Sequence, residues 1–147
     1  MTVSTSIELD PFKLAKSLSG LNFVDGGFRP AASGKTFAVV NPATGEQVAE
    51  APFSEAADVD AAVASAKKAQ KDWAKLPARQ RGKLVAECGR VLADHVEELG
   101  RLIALETGKA LRTESRVEAS VLADMFVFFG GLASELKGET VPFHPDM

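Results

Sequence analysis

A thiolate with an imidazole beside it is the simplest nucleophilic pair a sequence can show. The chain offers one cysteine, Cys88, and two histidines, His95 and His144. The spacing predicts Cys88 in mid-helix on an apolar stripe between Leu84 and Leu92. An apolar setting raises a thiol pKa and leaves it inert. His95 is seven residues on, about two helical turns away and beyond reach as a base. Cys88 is therefore expected as a small buried hydrophobe of the core. A single cysteine excludes an internal disulfide, and a Cys/His zinc site needs more ligands than the chain owns. Tyrosine, another acid/base group, does not occur.

Phosphate chemistry fares no better. None of the 12 glycines stand two apart, so there is no G-x-G-x-x-G. Gly34-Lys35-Thr36 ends like a Walker A loop, but Arg29 holds the place of its first glycine. The tripeptide also precedes a strand pattern, where a phosphate loop needs a helix N-terminus. Seven cations, Lys67, Lys68, Lys71, Lys75, Arg79, Arg81 and Lys83, surround one acid, Asp72. They read as a solvated helix face, or as a surface for an anionic partner. Trp73 is the only aromatic among them and lies on the apolar stripe, so base stacking has no platform. Asp58 and Asp60, two apart, point to different helix faces and complement the helix dipole.

These residues hang on a simple order of elements. Met1 to about residue 20 is polar and Ser-rich, a flexible leader with a short helix around Pro11 to Leu18. Strand patterns follow at Phe23-Val24, at Phe28, over Thr36 to Val40 and over about Glu46 to Pro52. Asp25-Gly26-Gly27 and Asn41-Pro42-Ala43-Thr44-Gly45 are the turns between them. The expectation is a small antiparallel meander. After Phe53 the apolar period changes to 3.6. Ser54 is placed to cap a helix carrying Val59, Ala62, Val63, Ala66, Ala69, Trp73 and Leu76 on one face. Pro77 opens the next helix. A further helix carries Leu99 and Ile103, with Gly108 as its C-cap. The last helix runs from about Leu111 to Lys137, ends at Gly138, and is followed by an extended Glu139 to Phe143. Its face of Val117, Val121, Met125, Phe128, Phe129, Leu132 and Leu136 is widened by Phe126 and Val127 beyond an ordinary stripe. That face fits either a central helix buried by the others or a surface that meets a missing domain or another subunit. Gly130-Gly131 inside it implies a kink or a close helix approach.

The chain alone thus reads as α+β, a small antiparallel strand meander followed by three or four helices. Its 147 residues fit one domain. With 46% hydrophobic and 25% charged residues it is neither disordered, collagen-like nor a disulfide scaffold. A net charge of -3 does not suit a general binder of nucleic acid or anionic membrane. The first twenty residues lack the apolar region of a signal peptide. Met125 to Ala133, the longest apolar stretch, is too short to span a bilayer. A reducing, cytoplasmic compartment is expected.

The order of features resembles the N-terminal region of the NAD(P)-dependent aldehyde dehydrogenases. The matching residues are Phe23-Val24-Asp25-Gly26-Gly27, Gly34-Lys35-Thr36-Phe37, Val40-Asn41-Pro42-Ala43-Thr44-Gly45-Glu46 and Asp58-Val59-Asp60-Ala61-Ala62-Val63. Trp73, the Arg81 helix, Leu105-Glu106-Thr107-Gly108-Lys109 and Phe128-Phe129-Gly130-Gly131-Leu132-Ala133 complete the series. The resemblance covers nearly all of the chain from about residue 21, and roughly the first third of a family member.

The resemblance implies an α/β fold for the whole enzyme and makes residues 21–147 an incomplete N-terminal part of its cofactor-binding domain. It implies an oxidoreductase that converts an aldehyde to a carboxylic acid with NAD or NADP. In the family a cysteine thiolate attacks the aldehyde, hydride passes to the cofactor, and a glutamate activates water to release the acid. Those groups and the main dinucleotide contacts follow the point where this chain ends, and Cys88 does not match the catalytic motif. No catalytic and no cofactor-contact residue is therefore carried over, and the chain alone is expected to be inactive and to hold no cofactor tightly. A monovalent cation is implied at the backbone carbonyls of Val39 and Val40 with the Glu106 carboxylate, where relatives often have Asp. The implied partners are the remainder of the fold and other subunits of a homo-oligomer, with no nucleic acid and no membrane. Met125, Phe128, Phe129 and Leu132 would then face a sheet outside this chain. Two other readings stay open: a non-enzymatic helical module that binds a protein through its Phe-rich last helix, and a nucleic-acid binder using Lys67 to Lys83.

Overall fold

A computed structural model describes residues 10–135 and 137–142. Among them, five helices and two small antiparallel sheets follow one another. Helix α1 spans Pro11–Ser17, strands β1 to β4 span Asn22–Val24, Gly27–Arg29, Thr36–Val40 and Gln47–Pro52, and helices α2 to α5 span Ala56–Trp73, Ala78–Asp94, Val96–Thr107 and Arg116–Gly131. This is the expected α+β order. The strands, however, form two separate hairpins, β1–β2 and β3–β4, and no continuous meander. The six residues between β2 and β3 include Pro30, which lacks an N–H for a ladder, and turn back at Gly34, whose φ is 68°.

The first hairpin closes on Asp25 and Gly26, both left-handed at φ 56° and 74°. That is the two-residue turn whose twist matches the flanking strands. In the second, Val39 pairs with Ala49 and Val40 with Gln47. Val48 is the extra residue of a β-bulge, and it is buried. Of the expected leader, residues 10–20 are described. Asp10 caps α1, which packs against β4 and α4. The Gly20 N–H donates to the Glu50 carbonyl at 2.7 Å, and the Ser19 hydroxyl accepts from the Glu50 N–H at 2.8 Å.

Helix α2 starts one residue later than Ser54 predicts. Glu55 is the N-cap, and the Asp58 carboxylate accepts its N–H at 2.9 Å. Ser54 instead accepts from the Asn22 amide at 2.8 Å. Asp58 also accepts the Ala32 N–H at 2.7 Å, so one side chain caps the helix and anchors the loop before β3. These two backbone donors hold the Asp58 carboxyl below its ordinary range. No residue of α2 is buried, and Val59 and Val63 lie open on the face predicted to be apolar.

The core sits between α3 and α5, which cross antiparallel at their smallest residues. Gly82 lies against Gly130, and Gly89 lies against Ala123 and Val127. A Cβ on Gly130 would stand 2.6 Å from the Gly82 carbonyl oxygen and 2.8 Å from the Ala86 nitrogen. Gly130 is thus the close approach implied by the glycine pair, whereas Gly131 faces open space. Ala119 and Ala123 are buried in the same layer. Packing on this side turns Leu84, Cys88 and Val91 of α3 outward. Cys88 is exposed, which corrects its expected burial: α3 is apolar on two faces, and α5 takes the glycine one.

The last helix is shorter than its apolar run. It opens with a π-helical turn at Leu111–Ser115, ends at Gly131 and closes in a 3-10 turn, Leu132–Ser134. The 24-residue helical run Leu111–Ser134 is long and apolar enough to cross a membrane by length and composition. That exceeds the Met125 to Ala133 stretch, because helix continuity joins apolar turns that charged residues separate in the sequence. Glu139 to Pro142 forms no strand. Leu136 and Phe143, also assigned above, lie outside the described residues, as does His144.

Candidate functional site

The β3–β4 hairpin, at its bulge, and α1 leave a cleft of about 200 Å³ against α4. Val39 and Glu106, two of the three cation-site candidates, line it, together with Ala15, Leu18, Glu50 and Leu105. Val40 does not line it and sits one register position away, beside the bulge. Gly108 positions Glu106. With φ at 74° it ends α4 and lies so close to Pro42 that a Cβ there would stand 2.9 Å from the ring. The end of α4 is thereby seated on the turn that joins β3 to β4.

Glu50 is a further residue at the cleft that the sequence reading missed. It accepts from the Thr36 hydroxyl at 3.0 Å across the hairpin. It neighbours Val48 and Ala49 of β4 at the cleft, where α1 and α4 meet the strand, and no local signal marks it. Among the described residues no group of three or more His, Cys, Asp or Glu could hold a metal. The donor set is one or two carboxylates plus strand carbonyls, which suits a weakly held hard cation and not a transition metal.

A second polar cluster braces α4 against α5. Arg116 grips Glu97 with two bonds of 2.6 and 2.8 Å, and Arg101 adds a third at 2.8 Å. These hydrogen bonds, those of Arg116 first, pull the Glu97 carboxyl down to about 2. Gly100 makes the approach possible, since a Cβ there would stand 3.1 Å from Arg116 Cγ. Lys109 pairs with Glu118 across the same junction. The cluster is consumed by its own pairing and leaves no free group for catalysis.

The remaining candidates stay apart. His95 ends α3 and bonds Glu98 at 2.8 Å, away from the exposed Cys88 thiol. In the basic run Lys75 pairs with Asp72, and Arg81 donates to the Leu76 carbonyl. The other cations point into solvent. Gly34-Lys35-Thr36 leads into β3, not a helix.

The same fold recurs in solved structures that hold a nicotinamide dinucleotide. PnpE in complex with nicotinamide adenine dinucleotide is 36% identical over 87% of this chain, with a TM-score of 0.81. The NAD+ complex of aldehyde dehydrogenase from Bacillus cereus is 30% identical over 95%, with a TM-score of 0.85. Betaine aldehyde dehydrogenase from Staphylococcus aureus, also in complex with NAD+, is 30% identical over 92%, with a TM-score of 0.82. The chain spans only 26%, 29% and 28% of those three structures. Residues 28–147 match the model of the aldehyde dehydrogenase family. The chain belongs to that family.

Proposed function

We propose that these residues form the N-terminal part of the cofactor-binding domain of an enzyme that oxidises an aldehyde to a carboxylic acid with NAD(P)+. The observation that carries this is the family match over residues 28–147, together with the NAD-bound relatives. NAD(P), when bound to the whole enzyme, accepts the hydride. This chain has no glycine-rich phosphate loop, so its own role is architectural: it supplies two hairpins, the α3–α5 layer and the cation cleft. The 147 residues alone are inactive, because the family's nucleophile and general base have no counterpart in them. The backbone carbonyls of Val39 and Val40 with the Glu106 carboxylate hold a monovalent cation, a reading supported by Val39 and Glu106 sharing one cleft. The whole enzyme is a soluble cytoplasmic homo-oligomer, in keeping with an unpaired exposed thiol and with α5 seated on α3.

The test is NADH production from purified protein with a panel of aldehydes and NAD+ or NADP+. A polypeptide that continues this chain with the family's catalytic cysteine turns over, and the 147-residue chain does not. Turnover by the pure 147-residue chain, abolished by Cys88→Ser, would overturn the assignment of chemistry to the rest of the polypeptide.

A further inference from the structure

The end of α4 touches the β3–β4 turn at a point equally far along the chain from both sides of the cation cleft. Pro42 is two residues beyond Val40, and Gly108 is two residues beyond Glu106. Neither side of the contact can yield. Asn41 braces the turn: its N–H donates to the Glu46 carbonyl at 2.9 Å, its carbonyl accepts from the Gly45 N–H at 2.8 Å, and its side chain accepts the Ala43 N–H at 2.9 Å. Within that turn the Pro42 ring is tied back to its own backbone. Opposite it, the Gly108 N–H closes α4 on the Ala104 carbonyl at 3.0 Å, and the Thr107 hydroxyl donates to the Ile103 carbonyl at 2.6 Å. A Cβ on Gly108 would stand 2.9 Å from Pro42 Cγ, so the two backbones come as near as they do only because this residue is glycine.

We propose that the Gly108–Pro42 contact is a stop that sets the span between the Val39 and Val40 carbonyls and the Glu106 carboxylate, and so selects the monovalent cation by size. This rests on the cation reading given above. Selectivity among hard cations follows cavity size, ligand number and flexibility. Strand carbonyls and a carboxylate serve every alkali ion, so size is what remains to discriminate between them. A span held by two braced backbones in contact cannot shrink to follow a smaller ion. It widens only when the contact itself is thickened. A methyl group at Gly108 would open the contact from 2.9 Å to the ~3.5 Å that carbon atoms accept, a change comparable with the step in radius between neighbouring alkali ions. The close contact lies wholly within this chain, between two segments that each carry a candidate ligand, so it acts on the cleft whatever the rest of the polypeptide adds.

Thermal unfolding in sodium, potassium and caesium chloride tests it, each titrated at constant ionic strength against a bulky organic cation, so that the midpoints give a Kd for each ion. Gly108→Ala is expected to move the affinity ratio between larger and smaller ions at least threefold toward the larger. Gly34→Ala is the control for backbone strain: its φ is 68°, left-handed like that of Gly108, but its Cβ meets nothing within 4 Å. It lowers every midpoint and leaves the ratio unchanged. If the unsubstituted chain separates the ions and Gly108→Ala keeps the same ratio, or Gly34→Ala moves it equally, the stop is overturned and the cation reading stands. If no ion raises the midpoint of the unsubstituted chain, the cation reading falls and the stop falls with it. Should Gly108→Ala fail to fold, Pro42→Ala decides: with the ring gone the ion affinities converge, and an unchanged spread refutes the stop.

Discussion

Replacing each of two adjacent glycines by alanine should move stability in opposite directions. Alanine is the better helix former by about 1 kcal/mol in a helix interior, and both Gly130 and Gly131 lie in α5. A Cβ at Gly131 meets nothing within 4 Å, so Gly131→Ala is expected to stabilise by about 0.5–1 kcal/mol. A Cβ at Gly130 meets the Gly82 carbonyl oxygen at 2.6 Å, the Ala86 nitrogen at 2.8 Å and the Ala86 Cβ at 2.9 Å. None of these atoms can rotate away. Relief requires α3 and α5 to move apart, and overpacking of this kind costs about 1–3 kcal/mol. The neighbouring substitutions should therefore differ by about 1.5–4 kcal/mol. Gly82→Ala should resemble Gly130→Ala, because its Cβ would lie 2.8 Å from that of Ala133. The double variant Gly82→Ala/Gly130→Ala should cost less than the sum, since one separation of the helices accommodates both methyls. Urea unfolding followed by far-UV circular dichroism reads all four. If Gly130→Ala and Gly131→Ala shift the midpoint the same way by similar amounts, the close approach of α3 and α5 is refuted.

The acid limb of stability should carry the signature of Glu97. Its folded pKa of about 2 lies below the ordinary 4.5, so its contribution is complete above about pH 4.5 and is lost as pH falls toward 2; Glu97→Gln should flatten stability in that window, and equal slopes for both proteins would contradict the Arg116 clamp. Cys88 should react with one equivalent of a thiol-specific disulfide reagent in the native chain, whereas reaction only in denaturant would restore the buried thiol. Potassium should raise the unfolding midpoint relative to a bulky organic cation, by about 1.4 kcal/mol at ten times its Kd; Glu106→Gln should remove that difference, and its persistence would exclude Glu106 as a ligand.

The parts of this fold legible in the sequence are those that local chemistry dictates. Asp25-Gly26 specified its hairpin because two consecutive left-handed residues admit few alternatives. Gly108 ended α4 for the same reason. Cys88 was misplaced because α3 is apolar on two faces, and periodicity cannot say which one a neighbour takes. The deciding signal was a different one: Gly82 and Gly89 stand seven apart, and so do Ala123 and Gly130, a match between two helices that no single window contains. The meander became two hairpins because strand pairing depends on the path of the linker, which apolar patterning does not encode. In the cleft, Val39 and Glu106 were named through resemblance, while Glu50 was reachable only through the tertiary placement of helices against β4. The clamp on Glu97 was missed likewise, since its partner Arg116 is 19 residues distant.

The seven-residue spacing of small residues on both α3 and α5 also works like a vernier scale. Sliding one helix by a single repeat, roughly 10 Å, would set Gly82 against Ala123 but Gly89 against Arg116. One of the two small-on-small crossings therefore survives the slip, and only the other opposes it. Helix α4 follows α3 after only His95, so any such slip drags Glu97 away from Arg116. The charged clamp, whose energy as a surface pair is modest, thereby acts as the index mark that tells the two helices which graduation to use.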